Sequence, residues 1–258
     1  MADPAVRVVS DVHAGFEALR AVAAADGPLL ILGDFLNFID YRTGEGMVAD
    51  ILGLEFARRA AEARGTGADA RPMWMEAISA HGGDFGADLM AAAKEQYRQA
   101  AEALGDAEVY ATFGNVDHPE LLESILGDQI TVLHGSSVEI GGLRYGFAGG
   151  GRRSPFGFIP SPTLEDALDE LGPVDVLCTH VPPDVPTLYR DVITGLDEKR
   201  SSAINEYLAA HNPRLHLFGD VHQPRASRWR VGETLCVNVG YFRATGRAIA
   251  VTAEGQVC

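Results

Sequence analysis

Five short polar clusters carry the residues that can do chemistry: Asp11-Val12-His13, Gly33-Asp34, Gly114-Asn115-Val116-Asp117, Thr179-His180 and Gly219-Asp220-Val221-His222. Asp11 and His13 stand at alternate positions just past a strand-like run, so one local turn can aim both at a single metal ion. Taken singly, each cluster has an ordinary reading. Gly-Asp is a common turn, Asn115 fits a turn, and His180 fits a core or surface histidine. Their shared context changes this, because every cluster follows directly on an apolar, strand-like run. Coincidence at five strand ends is a poor explanation. Convergence on a common cation site is a better one.

Those runs are the elements that must position the clusters. Val6 to Ser10, Leu29 to Leu32, Glu108 to Thr112, Val174 to Thr179 and Arg214 to Phe218 are short and apolar, as strands buried on both faces are. Phe16 to Ala25 reads as a helix with one apolar face. Strands alternating with helical stretches predict an α/β sheet, and such sheets bind ligands outside the carboxyl ends of their strands. All five clusters fall at that end. Between Asp40 and Asp106 the texture changes: Met47 to Arg64 and Phe85 to Leu104 are Ala-rich with helical spacing, broken at Gly65-Thr66-Gly67 and His81-Gly82-Gly83. This predicts a helical insertion at about 42–106, serving as a lid, a partner surface where an oligomer could form, or padding. Gly141-Gly142 marks a hairpin turn, and Gly149-Gly150-Gly151 ends the strand after it. Ser227 to Val231, Thr234 to Val239 and Arg247 to Thr252 read as a β-meander turning at Gly232-Glu233 and Gly246. One domain over residues 1–258 is the simplest organisation.

Composition narrows the class. Apolar residues make up 47% and charged residues 22% of 258, which is ordinary for a globular protein. The longest apolar stretches are far too short to span a bilayer, and the N-terminus shows no charged-then-apolar signal pattern. The three cysteines, Cys178, Cys236 and Cys258, make no Cys-x-x-Cys spacing and read as free thiols in a reducing cytoplasm. A net charge of −15 disfavours a general nucleic-acid surface. It does not disfavour a small phosphate ester, because bound cations invert the field locally.

The order Asp11-x-His13, Gly33-Asp34, Gly114-Asn115-x-Asp117, His180, Gly219-x-x-His222 resembles the calcineurin-like metallophosphoesterase superfamily, and small bacterial members in particular. The likeness runs from residue 6 to about 240, apart from the insertion. It implies a four-layer αββα sandwich with two metal ions at the strand ends. Asp11, His13 and His222 would then hold one ion, Asp34 would bridge both, and Asn115, His180 and Asp220 would hold the second. Mixed oxygen and imidazole ligation suits Mn, Fe, Zn or Mg better than ions that prefer thiolates. The implied chemistry is attack on phosphorus by a hydroxide bridging the two ions, with a small phosphodiester or phosphomonoester as substrate.

Two positions depart from the family pattern. Asp220 stands where a first histidine is usual; it adds a negative charge and favours a harder ion. Val116 stands where many members carry the histidine thought to protonate the leaving group, and loss of a general acid costs about 10²–10⁴-fold. Good leaving groups should therefore be preferred. His118 and His81 are candidate replacement acids, and Arg152 and Arg153 a candidate phosphate clamp. These departures also keep open an alternative, a catalytically weak fold serving as an interaction scaffold.

Overall fold

Alternate residues of each central strand face different cores. In Leu29–Leu32, Leu29 and Ile31 pack towards helices, whereas Leu30 and Leu32 pack towards a second sheet. Such a strand is buried on both sides, hence its unbroken apolar composition. The computed structural model describes residues 6–151, 155–156 and 162–258.

Among these residues, elements labelled in chain order form two sheets. The first runs in the order β11 (Ile249–Val251), β1 (Val6–Val9), β2 (Leu29–Leu32), β3 (Val109–Thr112), β4 (Thr131–Val132). It is parallel except for β11. The second runs β5 (Ser136–Ile140), β6 (Leu143–Ala148), β7 (Val176–Thr179), β8 (Leu215–Phe218), β10 (Thr234–Asn238), β9 (Arg228–Val231), with β6, β7, β8 and β10 parallel. Val8, Leu30 and Leu32 meet Phe147, Cys178, Leu217 and Val237 in the core between the sheets. Helices α1 (Phe16–Ala23), α5 (Phe85–Leu104) and α6 (Pro119–Leu126) cover the outer face of the first sheet. Helices α7 (Leu164–Leu171) and α9 (Ser202–His211), with the short α8 (Pro186–Tyr189), cover the second. Two sheets flanked by helices is the architecture the sequence predicts.

Between β2 and β3, α2 (Met47–Leu52), α3 (Leu54–Thr66) and α4 (Arg71–Ala80) precede α5. Phe56, Ala57, Ala60, Val48 and Ile39 form a small core of their own there. Helix α4 buries no residue fully, its Met73, Trp74 and Ala77 packing only partly against that small core, and the sequence reading passes over it. The C-terminal meander needs correction. β9 and β10 pair as a hairpin, but β11 leaves through α10 (Phe242–Thr245) and pairs antiparallel with β1, Val6 opposite Val251. Val251 belongs to the inter-sheet core, which both sheets line, so its apolar character did not say which sheet it would join.

Candidate metal centre

Each polar cluster lies where its strand stops. Asp11 and His13 follow β1, Asp34 follows β2, and Asn115 follows β3, all in the first sheet. His180 follows β7, and Asp220 and His222 follow β8, in the second. The backbone turns sharply at these points. Among the described residues six non-glycine positions have left-handed φ, and four are Asp11 (57°), His13 (40°), Asp34 (57°) and Asp220 (63°). Strain of this kind persists where surrounding structure over-determines it, commonly at functional sites. Two glycines let the loops close up. A Cβ on Gly114 would overlap the Asp34 carboxylate, and one on Gly219 would overlap Ser10 Oγ and Asp11 Oδ2.

The side chains converge. Asp34 Oδ2 lies 3.6 Å from His13 Nε2, 3.4 Å from His180 Nε2 and 3.4 Å from Asn115 Nδ2. Asp11 Oδ1 lies 3.5 Å from His222 Nε2 and 3.8 Å from His13 Nε2, and His180 Nε2 is 3.6 Å from Asp220 Oδ1. Asp11, His13 and His222 each offer a ligand atom within 4.8 Å of the others, and so do Asp11, Asp34 and His180. Asp11 Oδ1, His13 Nε2 and Asp220 Oδ2 are buried without any hydrogen-bond partner. Buried polar atoms are seldom left so, at a cost of about 1–3 kcal/mol each. Cations bound among these side chains would satisfy such atoms, and the donor set fits divalent ions of the Mg, Mn, Fe or Zn kind.

The electrostatics agree. Burial opposes ionisation of Asp34, but the His180 and His13 rings and the Val116 N–H outweigh it and hold the carboxyl well below the usual range. Asp11 is lowered likewise, burial being overcome by His222 and His180. Burial disfavours charge on His180 and His222, yet Asp34 with Asp220 raises the first and Asp11 the second. The Nδ1 atoms of His180 and His13 lie 2.7 Å from the Leu32 carbonyl and 2.9 Å from the Leu36 carbonyl. Donation there fixes each ring with Nε2 facing the cluster.

Supporting groups surround this core. Asp117 Oδ2 accepts from the Asp34 and Gly114 N–H groups at 2.8 Å each, and its Oδ1 accepts from Phe35 N–H and the Tyr97 hydroxyl. It thus fixes the loops after β2 and β3 to each other. Asn238 donates to the Val221 carbonyl at 2.9 Å, holding the loop that carries Asp220 and His222. His222 stacks on Tyr241 with ring centroids 3.7 Å apart. Asn115 turns its amide nitrogen to Asp220 Oδ1 at 2.7 Å, and its oxygen accepts from Lys199 Nζ at 2.7 Å.

Other expected residues stand elsewhere. His118 caps α6, its Nδ1 accepting from Leu121 N–H at 3.4 Å, and it does not line the cleft above the ligands. His81 pairs with Asp88 at 2.7 Å, likewise off the cleft. Arg152 and Arg153 lie outside the described residues. Val116 does line the cleft. Sequence reasoning passed over Lys199 and Tyr241. Being one of only two lysines was the sole signal for Lys199, and Tyr241 had none beyond following the β10 run.

A family model described as calcineurin-like phosphoesterase matches residues 5–224. A solved crystal structure is similar with a TM-score of 0.63 at 17% identity, covering 98% of this chain and 97% of its own. The crystal structure of TT1561 from Thermus thermophilus is similar with a TM-score of 0.51 at 15% identity, covering 100% of this chain and 98% of its own. Identities this low speak to the fold alone. No curated protein matches the chain by sequence.

Proposed function

The chain belongs to the calcineurin-like phosphoesterase family, and from that membership we propose a metal-dependent phosphoesterase that hydrolyses a small phosphodiester or phosphomonoester at a two-ion centre. Asp11, His13 and His222 would hold one ion, Asn115, His180 and Asp220 the other, and Asp34 would bridge them. The observation that carries this reading is the convergence of buried, partnerless lone pairs on Asp11, His13 and Asp220. An interaction scaffold would gain nothing from leaving them unsatisfied, which disfavours that alternative.

Bound divalent ions supply Lewis acidity, making water a nucleophile near neutral pH and offsetting charge on phosphoryl oxygens. The chain's own residues then hold and orient. Asp34 Oδ2, within 3.6 Å of His13 Nε2 and 3.4 Å of His180 Nε2, occupies the place from which one carboxylate reaches both ligand groups. Asn115 can ligate only through its oxygen, so its amide would turn end for end and release the Lys199 ammonium to face phosphoryl oxygens in the cleft. Val116 offers no proton to a departing oxygen, so esters with good leaving groups are favoured.

The test is hydrolysis of bis(p-nitrophenyl) phosphate with Mn, Fe, Zn or Mg added in turn. Activity that appears with an ion and falls by at least about 10²-fold in Asp34→Asn supports the reading. A wild-type protein inactive with every one of these ions overturns it.

A further inference from the structure

The ligand cluster forms one end of a cavity of about 770 Å³, a size typical of small-molecule sites. Its other walls combine charged side chains such as Asp40, Arg42, Arg64 and Glu198 with an apolar and aromatic part. Phe38, Trp74, Ile78 and Phe85 come from the segment between β2 and β3, and Ile193 and Leu196 from the loop after α8. The surface leaves few large apolar side chains exposed among the described residues, yet Tyr41 (45%), Ile78 (39%) and Ile193 (70%) all line this one cavity. Exposed apolar side chains gathered around a concavity mark a binding site more often than chance scatter does.

The wall is built rigidly. Trp74 lies nearly parallel to Phe38, with centroids 6.2 Å apart at 13°. Phe56 meets it edge-on at 4.9 Å. Arg64 of α3 reaches Glu198 at 2.7 Å while its guanidinium lies 4.4 Å over the Tyr41 ring, tying the helical segment to the opposite loop. A flat aromatic ligand fits such a wall better than an open chain does.

We propose that this cavity is the subsite for the ester group of the substrate, and that it takes a planar aromatic ring. The phosphoryl end lies at the metal ligands, and the ring packs against Trp74, Ile78 and Ile193. This rests on the phosphoesterase reading for the phosphoryl end only.

The chain has two tryptophans, Trp74 and Trp229, so a Trp229→Phe protein reports Trp74 emission alone. That protein is titrated with adenosine 5′-monophosphate, phenyl phosphate and glycerol 1-phosphate, and hydrolysis of each is measured in parallel with a divalent ion present. The expected result is an emission change with both aromatic probes and none with glycerol phosphate. In Ile193→Asp and Ile78→Ser, changes at exposed positions that leave the small core of the segment intact, KM for adenosine monophosphate should rise about tenfold relative to that for glycerol phosphate. Equal binding of all three probes, or unchanged Trp74 emission in a protein that still hydrolyses glycerol phosphate, overturns the subsite and spares the phosphoesterase reading. Emission changes with adenosine monophosphate in a protein that also leaves bis(p-nitrophenyl) phosphate intact with every ion support the subsite and overturn the activity.

Discussion

Asp117 accepts from the N–H groups of Asp34, Phe35 and Gly114, so two ligand loops share one buried carboxylate. Asn in its place keeps one acceptor oxygen and turns an amide NH2 towards donors. Asp117→Asn should lower stability by about 1–3 kcal/mol and divalent-ion affinity about 10–100-fold, read by urea unfolding and metal titration; unchanged metal affinity would separate Asp117 from the site. His216 gives a second prediction of a different kind. It is fully buried on β8 with Nε2 2.8 Å from Thr179 Oγ1, and burial pushes its pKa down from 6.5 to about 3. The unfolded chain therefore binds a proton there before the folded one does. Stability is present in full above about pH 6.5 and is lost as pH falls towards 3, by up to about 1.4 kcal/mol per pH unit from this group. In His216→Gln the slope of unfolding free energy between pH 4 and 6 should flatten by about one proton.

The strands are legible because β1, β2, β7 and β8 are buried and largely apolar, β2 without a break and the others with only Arg7, Thr179 and His216 as polar members. The ligands are legible for a related reason: a polar residue after such a run has reached the open end of a sheet. What a local pattern cannot carry is the identity of a distant partner. β11 joins β1 rather than the neighbouring hairpin, and Lys199 meets Asn115 from a loop with no strand before it. Tyr241 is equally silent, since stacking under His222 leaves no periodic trace. Loop approach, by contrast, is written in glycine. The loop after β8 passes so near Ser10 and Asp11 that Gly219 has no room for a Cβ. Gly219→Ala should push the Asp220–His222 loop away from Asp11, weakening ion binding at least about tenfold while far-ultraviolet dichroism stays that of the wild type. Wild-type affinity in that variant would mean the loops need no such contact.

Across the whole molecule, the candidate ligands divide between the sheets: Asp11, His13, Asp34 and Asn115 on one, His180, Asp220 and His222 on the other. An ion bound among them is a cross-brace that the unfolded chain lacks. At a free concentration 100 times Kd it should add about 2.7 kcal/mol to stability, seen as a rise in Tm on adding the ion and a fall with a chelator. Because His180 and His222 hold protons more tightly than free histidines do, the ion must displace them. Its affinity should fall as pH falls, with protons released on titration. A Tm indifferent to both ion and chelator would show that nothing braces the sheets.

The last strand closes beside the first, and the backbone N–H groups of Phe242 and Arg243 bond the Ser10 and Asp11 carbonyls. A ribosome making this chain therefore releases Asp11 and His13 long before the segment that fixes their loop. While synthesis continues, the first two donors hang on an unfinished sheet edge, unable to take their final angles. A cation held among these donors would therefore meet its whole ligand set only after Arg243 has been made.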